Sequence, residues 1–362
     1  MKTASHILSA LMLMAAGAAS HAATSGEDLA DAAGRSLVGK PAPRLVVKTI
    51  DGDTIDLGRL YGRQAVYLKF WATWCVPCRQ QMPHFQHAFE TAGPDMQVIA
   101  INTGFNDSLD AVRTYRRRLG ITMPIVIDDG TLAAAFGLRV TPQHIVIGRD
   151  GRILYVGHLA DARLDAALTA ARAEPAVAVS GAEGAAEAAG AKGAAGATQA
   201  AVLPRRYQIG DRIPALAPAT LDGGPFEFRD AADSKPLVLV FLSPWCESYL
   251  ATSRPAASQS CRRMREQVSE LVGANGAGSN GVRWLGIASG LWATPEDLRD
   301  YRKQYGVAIP LTLDESGALF RQFGVTEVPT AFMIDRQGRI AGKVAAGDTQ
   351  TPTALRRAVD AL

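Results

Sequence analysis

The alternation of apolar runs and amphipathic stretches along the chain predicts strands and helices that follow one another in turn. In the first half, apolar runs rich in β-branched and aromatic residues predict strands at 65–70, 97–102, 125–127, 144–147 and 153–156. Helical periodicity and capping residues predict helices from Val76, after Ser108 and from Asp161. The last two strands are separated by Asp150-Gly151 and should form a hairpin. This order of elements is typical of an α/β fold.

The pattern of the first half recurs in the second half at a nearly constant distance. Trp74-Cys75 matches Trp245-Cys246, 171 positions later, and Pro142 matches Pro329, 187 positions later. The larger second offset indicates an insertion that follows the Trp-Cys pair of the second copy. The chain is therefore predicted to hold two diverged copies of one fold.

Two segments lie outside these copies. Residues 1–22, with Lys2, a short apolar run and small residues ending at Ala22, predict a cleaved signal peptide. The run of roughly 10 apolar residues is too short to cross a bilayer. Residues 173–201 contain 14 Ala and 5 Gly and no aromatic residue, which predicts a flexible linker. The two domains are then expected at 37–172 and 207–362, in an exported protein that does not span the membrane.

Composition and charge narrow the class of protein. The chain has 362 residues, of which 48% are hydrophobic, and its 38 basic residues nearly balance its 35 acidic ones. These values are typical of a soluble globular protein, and a net charge of +3 gives no case for nucleic-acid binding. Four cysteines are too few for a disulfide-stapled scaffold of this length. Any sulfur chemistry should therefore be confined to one or two local sites.

The strongest chemical signal is Cys75-Val76-Pro77-Cys78, at a predicted junction between a strand and a helix. One helical turn brings both cysteines within bridging distance. The N-terminus of a helix also stabilises a thiolate on the first cysteine. Cys75 is therefore the predicted nucleophile and Cys78 the resolving thiol of a disulfide exchange site.

Two other interpretations of this motif are weaker. A purely structural disulfide is uncommon for this spacing at the start of a helix. A zinc site that adds His84 and His87 is disfavoured, because His84 lies six residues after Cys78, about 9 Å along a helix. No metal is expected, and the two histidines are predicted to face solvent or substrate.

The segment Phe70-Trp71-Ala72-Thr73-Trp74-Cys75-Val76-Pro77-Cys78-Arg79, followed by Met82-Pro83, resembles the active-site segment of TlpA-like thioredoxin-fold disulfide reductases. Val140-Thr141-Pro142 resembles the cis-proline loop of that family, which faces the cysteines and docks the substrate backbone. The resemblance covers residues 37–172. It extends more weakly over 207–362, which also resembles the wider redoxin group that includes alkyl hydroperoxide reductases.

The resemblance implies two tandem thioredoxin-like folds, each a central mixed β-sheet flanked by helices, and periplasmic thiol-disulfide exchange. It implies protein thiols and disulfides as substrates, a membrane thiol electron donor of the DsbD type, and no cofactor. The residues expected to bind substrate or shape the site are Trp74, Pro77, Thr141, Pro142, Lys69 and Gln81.

Two of these residues depart from the family pattern. Lys69 stands where many thioredoxin-like proteins have a buried Asp and TlpA-like ones an Asn, and Gln81 stands where TlpA-like reductases often have a Glu. If both side chains approach the cysteines, the site lacks the usual carboxylate proton relay. Lys69 is then predicted to favour the thiolate and lower the pKa of the cysteine. The alternative is that its long stem reaches solvent.

The second copy keeps Cys246 but has Tyr249 where the second cysteine should stand, and its other cysteine, Cys261, lies 15 positions after Cys246. An unbroken helix would separate the two by roughly 20 Å, beyond disulfide reach, whereas a fold-back would let them meet. Ser253 is expected to cap the helix that follows. The cysteines remain a candidate second redox pair: they could form a structural or regulatory disulfide or a peroxidase-like pair. Alternatively, the copy could be redox-inert and bind substrate or a partner. The copy has no histidine, which argues against a copper site.

The favoured function is an exported thiol-disulfide oxidoreductase, most readily a protein disulfide reductase that uses Cys75 and Cys78, with an auxiliary second domain. One alternative is a thiol peroxidase with antioxidant activity centred on Cys246. Another is a protein that binds partners without catalysis.

Overall fold

The computed structural model describes residues 25–173, 206–229, 235–273, 281–351 and 353–362. The predicted signal peptide lies outside these residues, and so does the predicted linker apart from Ala173. Within the described part of the chain, no helix is both long and apolar enough to cross a membrane.

The first half forms a five-stranded mixed sheet with helices on both faces, as predicted. It begins with α1 (Gly26–Leu37) and the hairpin of β1 (Val46–Lys48) and β2 (Thr54–Asp56). The sheet consists of β3 (Ala65–Trp71), β4 (Met96–Asn102), β5 (Ile125–Ile127), β6 (Gln143–Ile147) and β7 (Ile153–Gly157). Its strand order is β5-β4-β3-β6-β7. The remaining helices are α2 (Leu57–Leu60), α3 (Val76–Gln80), α4 (Met82–Glu90), α5 (Leu109–Leu119), α6 (Thr131–Ala135) and α7 (Ala162–Ala173).

The central position of β3 follows from its sequence. All seven of its residues are buried, and it pairs in parallel with β4 and antiparallel with β6. A strand covered on both faces requires a continuous apolar run rather than alternation. The helix α5 begins after Ser108 as predicted, because the Ser108 hydroxyl accepts the backbone N–H of Ala111. It ends at Gly120, which adopts a left-handed conformation with φ 62°.

The helix α1 was not predicted from the sequence. The Ser25 and Asp28 side chains cap its N-terminus reciprocally, and it packs on β7, with Gly34 against Val156. The helix ends at Leu37, the residue at which the first domain was expected to begin.

The second half repeats the architecture, with strand order β10-β9-β8-β11-β12. Its strands are β8 (Leu237–Leu242), β9 (Arg283–Ser289), β10 (Leu311–Asp314), β11 (Thr330–Ile334) and β12 (Ile340–Val344). Its helices are α8 (Cys246–Ser253), α9 (Pro255–Val272), α10 (Pro295–Tyr305), α11 (Ala318–Gln322) and α12 (Ala354–Asp360). The equivalent strand orders confirm that both copies have one fold.

The insertion after the Trp-Cys pair of the second copy forms two helices that meet at a break. Ser253 is the last residue of α8, so its predicted role as a cap is wrong. Arg254 precedes α9, and Pro255 takes the first helical position because its ring fixes a helical φ and its missing N–H is not needed there. The break lets α9 fold back on α8.

Candidate active site

The Cys75-Val76-Pro77-Cys78 segment lies where β3 passes into α3, as its spacing predicts. Cys75 is the N-cap of α3, and the backbone N–H of Cys78 donates to its sulfur at 3.2 Å. The two cysteines form a disulfide with their Cα atoms 5.2 Å apart. Once the disulfide is reduced, this N–H and the positive end of the helix dipole stabilise a thiolate on Cys75.

The cis-proline loop faces this disulfide. The Thr141-Pro142 peptide bond is cis, and Sγ of Cys75 lies 3.5 Å from the carbonyl oxygen of Thr141. The equivalent Val328-Pro329 bond of the second copy is also cis. The structure therefore brings together the cysteines and the loop that the sequence placed about 65 residues apart.

Trp74 and Pro77 shape the immediate surroundings of the cysteines. The indole N–H of Trp74 donates to the carbonyl oxygen of Phe105 at 2.7 Å, and the ring is 2% exposed. Pro77 lies in the first turn of α3, where its fixed φ is compatible with the helix. Both residues hold the turn that presents Cys75.

Lys69 is buried, so the alternative that its stem reaches solvent is wrong. Its Nζ atom lies 5.2 Å from the centre of the Phe85 ring and has no hydrogen-bond partner among the described residues. Burial lowers the pKa of Lys69 to about 7, because the charged form loses its hydration. The cation that was predicted to favour the thiolate is therefore only partly protonated near neutral pH.

Gln81 separates α3 from α4, and its amide bridges two histidines. Its Oε1 atom lies 2.8 Å from Nε2 of His144, and its Nε2 atom donates to the carbonyl oxygen of His158 at 3.2 Å. The hydroxyl of Tyr67 lies 2.7 Å from Nδ1 of His144, and Nδ1 of His158 lies 2.7 Å from the carbonyl oxygen of Pro142. A continuous polar network therefore runs from the strand beneath α3 to the cis-proline loop.

Burial and the hydrogen-bond partners of His144 determine its protonation state and its tautomer. Burial lowers its pKa well below the ordinary value, so the ring is neutral. Because the Gln81 oxygen only accepts, His144 donates from Nε2 and accepts the Tyr67 hydroxyl at Nδ1. Sequence reasoning missed both histidines. For His144 the available signal was its position two residues after Pro142, whereas His158 lies 16 positions after Pro142 and gave no such signal.

His84 does not join the cysteines. Its Nε2 atom lies 2.8 Å from Oδ1 of Asp165, and its side chain is about one-third exposed. This helix-surface contact fits the predicted exposure of His84.

In the second copy, Cys246 and Cys261 form a disulfide, with their Cα atoms 6.3 Å apart. The fold-back of α9 on α8 brings them together, which was one of the two arrangements the sequence left open. Cys246 is fully buried and Cys261 is 8% exposed. A buried Glu247, paired with Arg265 at 2.7 Å, follows Cys246.

The second domain covers the cysteines of the first. The Trp74 and Trp245 rings stack with their centres 5.0 Å apart, and the hydroxyl of Tyr249 accepts the backbone N–H of Val76 at 3.1 Å. Cys75 is 1% exposed and Cys78 is completely buried. Tyr249, which replaces a cysteine, therefore contributes directly to the surroundings of the other site.

Comparisons with known proteins agree with this geometry. The AhpC/TSA family model matches residues 38–156, and the Redoxin family model matches residues 208–362. The chain is 36% identical over 128 residues to the thiol-disulfide oxidoreductase ResA of Halalkalibacterium halodurans, which covers 34% of this chain and 71% of that protein. It is 31% identical over 133 residues to the thioredoxin-like protein YneN of Bacillus subtilis, covering 36% of this chain and 78% of that protein.

Among solved structures, a thiol:disulfide interchange protein of the thioredoxin family from Chlorobium tepidum is 28% identical, with a TM-score of 0.34. The match covers 37% of this chain and 96% of that one. Two redoxin domains in tandem, the first with a Cys-x-x-Cys disulfide, together with the ResA relatives, show that the chain belongs to the TlpA-like family of thioredoxin-fold thiol-disulfide oxidoreductases.

Proposed function

We propose that the protein is an exported protein-disulfide reductase that works through Cys75 and Cys78. The observation that carries the proposal is a disulfide at the N-terminus of α3 whose Cys75 sulfur faces the carbonyl oxygen of Thr141 at 3.5 Å. A reactive cysteine needs a feature that stabilises its thiolate, and the helix end supplies one. An extended substrate backbone docks along Thr141 and Pro142, beside that sulfur.

In the proposed reaction, the Cys75 thiolate attacks one sulfur of a substrate disulfide. A mixed disulfide forms, and the other substrate sulfur leaves as a thiolate. The Cys78 thiolate then attacks Sγ of Cys75, which releases the second substrate thiol and forms the Cys75–Cys78 disulfide. Two electrons pass to the substrate, so a dithiol must reduce the protein again.

The remaining site residues have supporting roles in this proposal. Trp74 and Pro77 hold the turn that presents Cys75. Gln81 fixes the position of the end of α3 relative to the cis-proline loop through its hydrogen bonds to the two histidines. Lys69 favours the Cys75 thiolate to the extent that it is protonated. The buried Cys246–Cys261 disulfide is a structural bridge of the auxiliary second domain.

The compartment and the electron donor are part of the same proposal. Residues 1–22 direct export to the periplasm, where a membrane thiol donor of the DsbD type reduces Cys75–Cys78. N-terminal sequencing of the mature protein tests the first point, and Ala23 or Thr24 is the expected first residue. A mature chain that begins at Met1 would contradict export by cleavage.

Single-turnover exchange tests the reaction. The reduced full-length protein is mixed with insulin, and the thiols formed on the insulin chains are labelled, separated from the protein and followed over time. Cys75→Ser should abolish release, whereas Cys246→Ser/Cys261→Ser should retain it. Cys78→Ala should accumulate a mixed disulfide on Cys75, which mass spectrometry of the linked peptides identifies. Retained activity in Cys75→Ser would refute the assignment.

A further inference from the structure

The cis-proline loop of the first domain is already occupied by a loop of the second. The backbone N–H of Trp292 donates to the carbonyl oxygen of Arg139 at 2.9 Å, and its indole N–H donates to the Thr141 hydroxyl at 3.1 Å. The indole also packs edge-on against His158, with the ring centres 5.4 Å apart. A main-chain and a side-chain contact thus cover the loop that faces Cys75.

The first domain makes the reciprocal contacts on the second. The backbone N–H of Asn106 donates to the carbonyl oxygen of Thr326 at 2.7 Å, and its side-chain oxygen accepts the N–H of Val328 at 2.9 Å. Asn106 and Trp292 lie 186 positions apart, at equivalent places after β4 and β9. Both have positive φ, 53° and 58°, which is uncommon for residues other than glycine. The two copies therefore bind each other through the same loop, in a pseudo-two-fold arrangement.

The equivalent tryptophans Trp74 and Trp245 stack at the centre of this interface. Beside them, Arg254 forms an ion pair with Asp107 at 2.9 Å, and the Asp107 side chain is completely buried. Oδ2 of the same carboxylate accepts the backbone N–H of Thr73 at 2.8 Å, two residues before Cys75. Because a buried carboxylate needs charged or hydrogen-bonding partners, the placing of Arg254 from the break between α8 and α9 beside the buried Asp107 indicates a specific interface rather than incidental contact.

Tyr249 extends the interface to the cysteine motif itself. Its hydroxyl accepts the N–H of Val76, the residue that follows Cys75. The position that a second cysteine would occupy in this copy is therefore used for binding the other copy. With tyrosine in place of the second cysteine, this position makes a hydrogen bond to the first domain.

We propose that the second domain is the resident partner of the substrate-docking face of the first domain, and that it controls the access of macromolecules to Cys75. A protein substrate reaches the sulfur only after Trp292 and Tyr249 have left the first domain. The inference rests on the proposed function for the location of the docking face. The exchange reaction is unchanged, and only the fraction of molecules with an open face limits it.

Small reagents are not excluded in the same way. Cys75 borders a cleft whose lining includes Val76, Arg79 and Arg118 of the first domain and Ser253 of the second. Val76, one of the lining residues, is 37% exposed. The closed arrangement therefore discriminates by size, which gives the proposal a direct measurement.

The test compares alkylation of the reduced, full-length Cys78→Ser protein by a small maleimide and by the same maleimide linked to a large polymer. Peptide mass spectrometry restricts the readout to Cys75. Adding Trp292→Ala should raise the ratio of the large-reagent rate to the small-reagent rate by about tenfold, because the open fraction increases. Adding Tyr249→Phe, which removes one hydrogen bond and keeps the ring, should raise it by roughly fivefold.

Arg302→Ala is the matched control, because the Arg302 ion pair with Asp222 at 2.9 Å lies within the second domain. It should leave the ratio unchanged. The same ratio in all four proteins would overturn the proposal, and Tyr249→Phe keeps the test decisive if Trp292→Ala does not fold.

The rate of insulin reduction separates this inference from the proposed function. It is measured with variants that carry the same substitutions and keep Cys78. Faster insulin reduction in the opened variants supports both. A raised alkylation ratio with no insulin reduction in any variant supports the control of access and refutes protein-disulfide reduction.

Discussion

Lys69 and His144 face each other across the antiparallel pairing of β3 and β6, and burial lowers the pKa of both side chains. Each is a base that loses its hydration inside the first domain, and any charge on Lys69 further disfavours a proton on His144. His144 has two hydrogen-bond partners, whereas Nζ of Lys69 has none among the described residues. The protein therefore maintains a costly lysine at the centre of its first sheet.

We expect Lys69→Met to stabilise the oxidised protein. The pKa falls from 10.5 to about 7 on folding, so the unfolded chain binds more protons between these pH values and wild-type stability rises with pH across that window. The destabilisation is fully present below pH 7 and is relieved as the pH approaches 10.5. The gain from Lys69→Met should be roughly 4 kcal/mol at pH 7 and roughly 2 kcal/mol at pH 9.

Urea denaturation of the oxidised protein at the two pH values measures this gain. Lys48→Met serves as the control because Lys48 is exposed, and it should change the free energy of unfolding little at either pH. An equal gain from Lys69→Met at pH 7 and pH 9 would show that the lysine is not the titrating group.

Lys69→Asn tests the effect of the same residue on the thiolate. Lys69 lies on β3, the strand that leads to Cys75, and removing its partly protonated amine should raise the pKa of Cys75, because a cation favours the charged form of a thiol. Alkylation rates of reduced Cys78→Ser protein across a pH series, with and without Lys69→Asn, give this pKa. An unchanged pKa of Cys75 would show that Lys69 does not stabilise the thiolate.

Gln81→Leu should destabilise the first domain by about 1–3 kcal/mol, since it leaves the His144 N–H and the His158 carbonyl without a partner. Gln80 is the matched control, because it is exposed and precedes Gln81 directly. Gln80→Leu should have little effect in the same denaturation experiment. Equal effects of the two substitutions would mean that the histidine bridge contributes no net stability.

Cys246→Ser/Cys261→Ser should lower the free energy of unfolding of the second domain by about 3 kcal/mol, the value expected for a bridge that closes a 15-residue loop. The exchange proposed at Cys75 does not use the buried bridge, so we expect insulin reduction to persist. Tryptophan fluorescence during denaturation and the insulin assay measure the two effects. Loss of insulin reduction in a folded double variant would reveal a redox role for the second pair.

The parts of the site that local sequence determines were predictable. The cysteine spacing, the helix start at Val76 and the Ser108 cap depend on neighbours within one helical turn. The cis-proline loop was identified only through family resemblance, because its approach to Cys75 depends on how distant strands pair. The fold-back that joins Cys246 to Cys261 was left open, because the sequence alone did not show where the helix breaks.

Contacts between distant segments were missed. Nothing near Gln81 in the sequence points to His144 or His158, which β6 and the segment after β7 bring into the site. The burial of Lys69 was left as one of two alternatives, since a long amphipathic stem is compatible with either. The pairing of Asn106 with the second cis-proline loop depends on the docking of two complete domains.

The reciprocal insertion of Trp292 and Asn106 also has a consequence for measured affinities. Because the two domains belong to one chain, each meets the other at an effective concentration set by their covalent connection and not by the concentration of the protein. A free substrate protein at micromolar concentration must compete with this tethered ligand. Its apparent affinity for the whole chain is therefore weaker than its intrinsic affinity for the docking face. This competition favours substrates that bind the docking face more tightly than the second domain does.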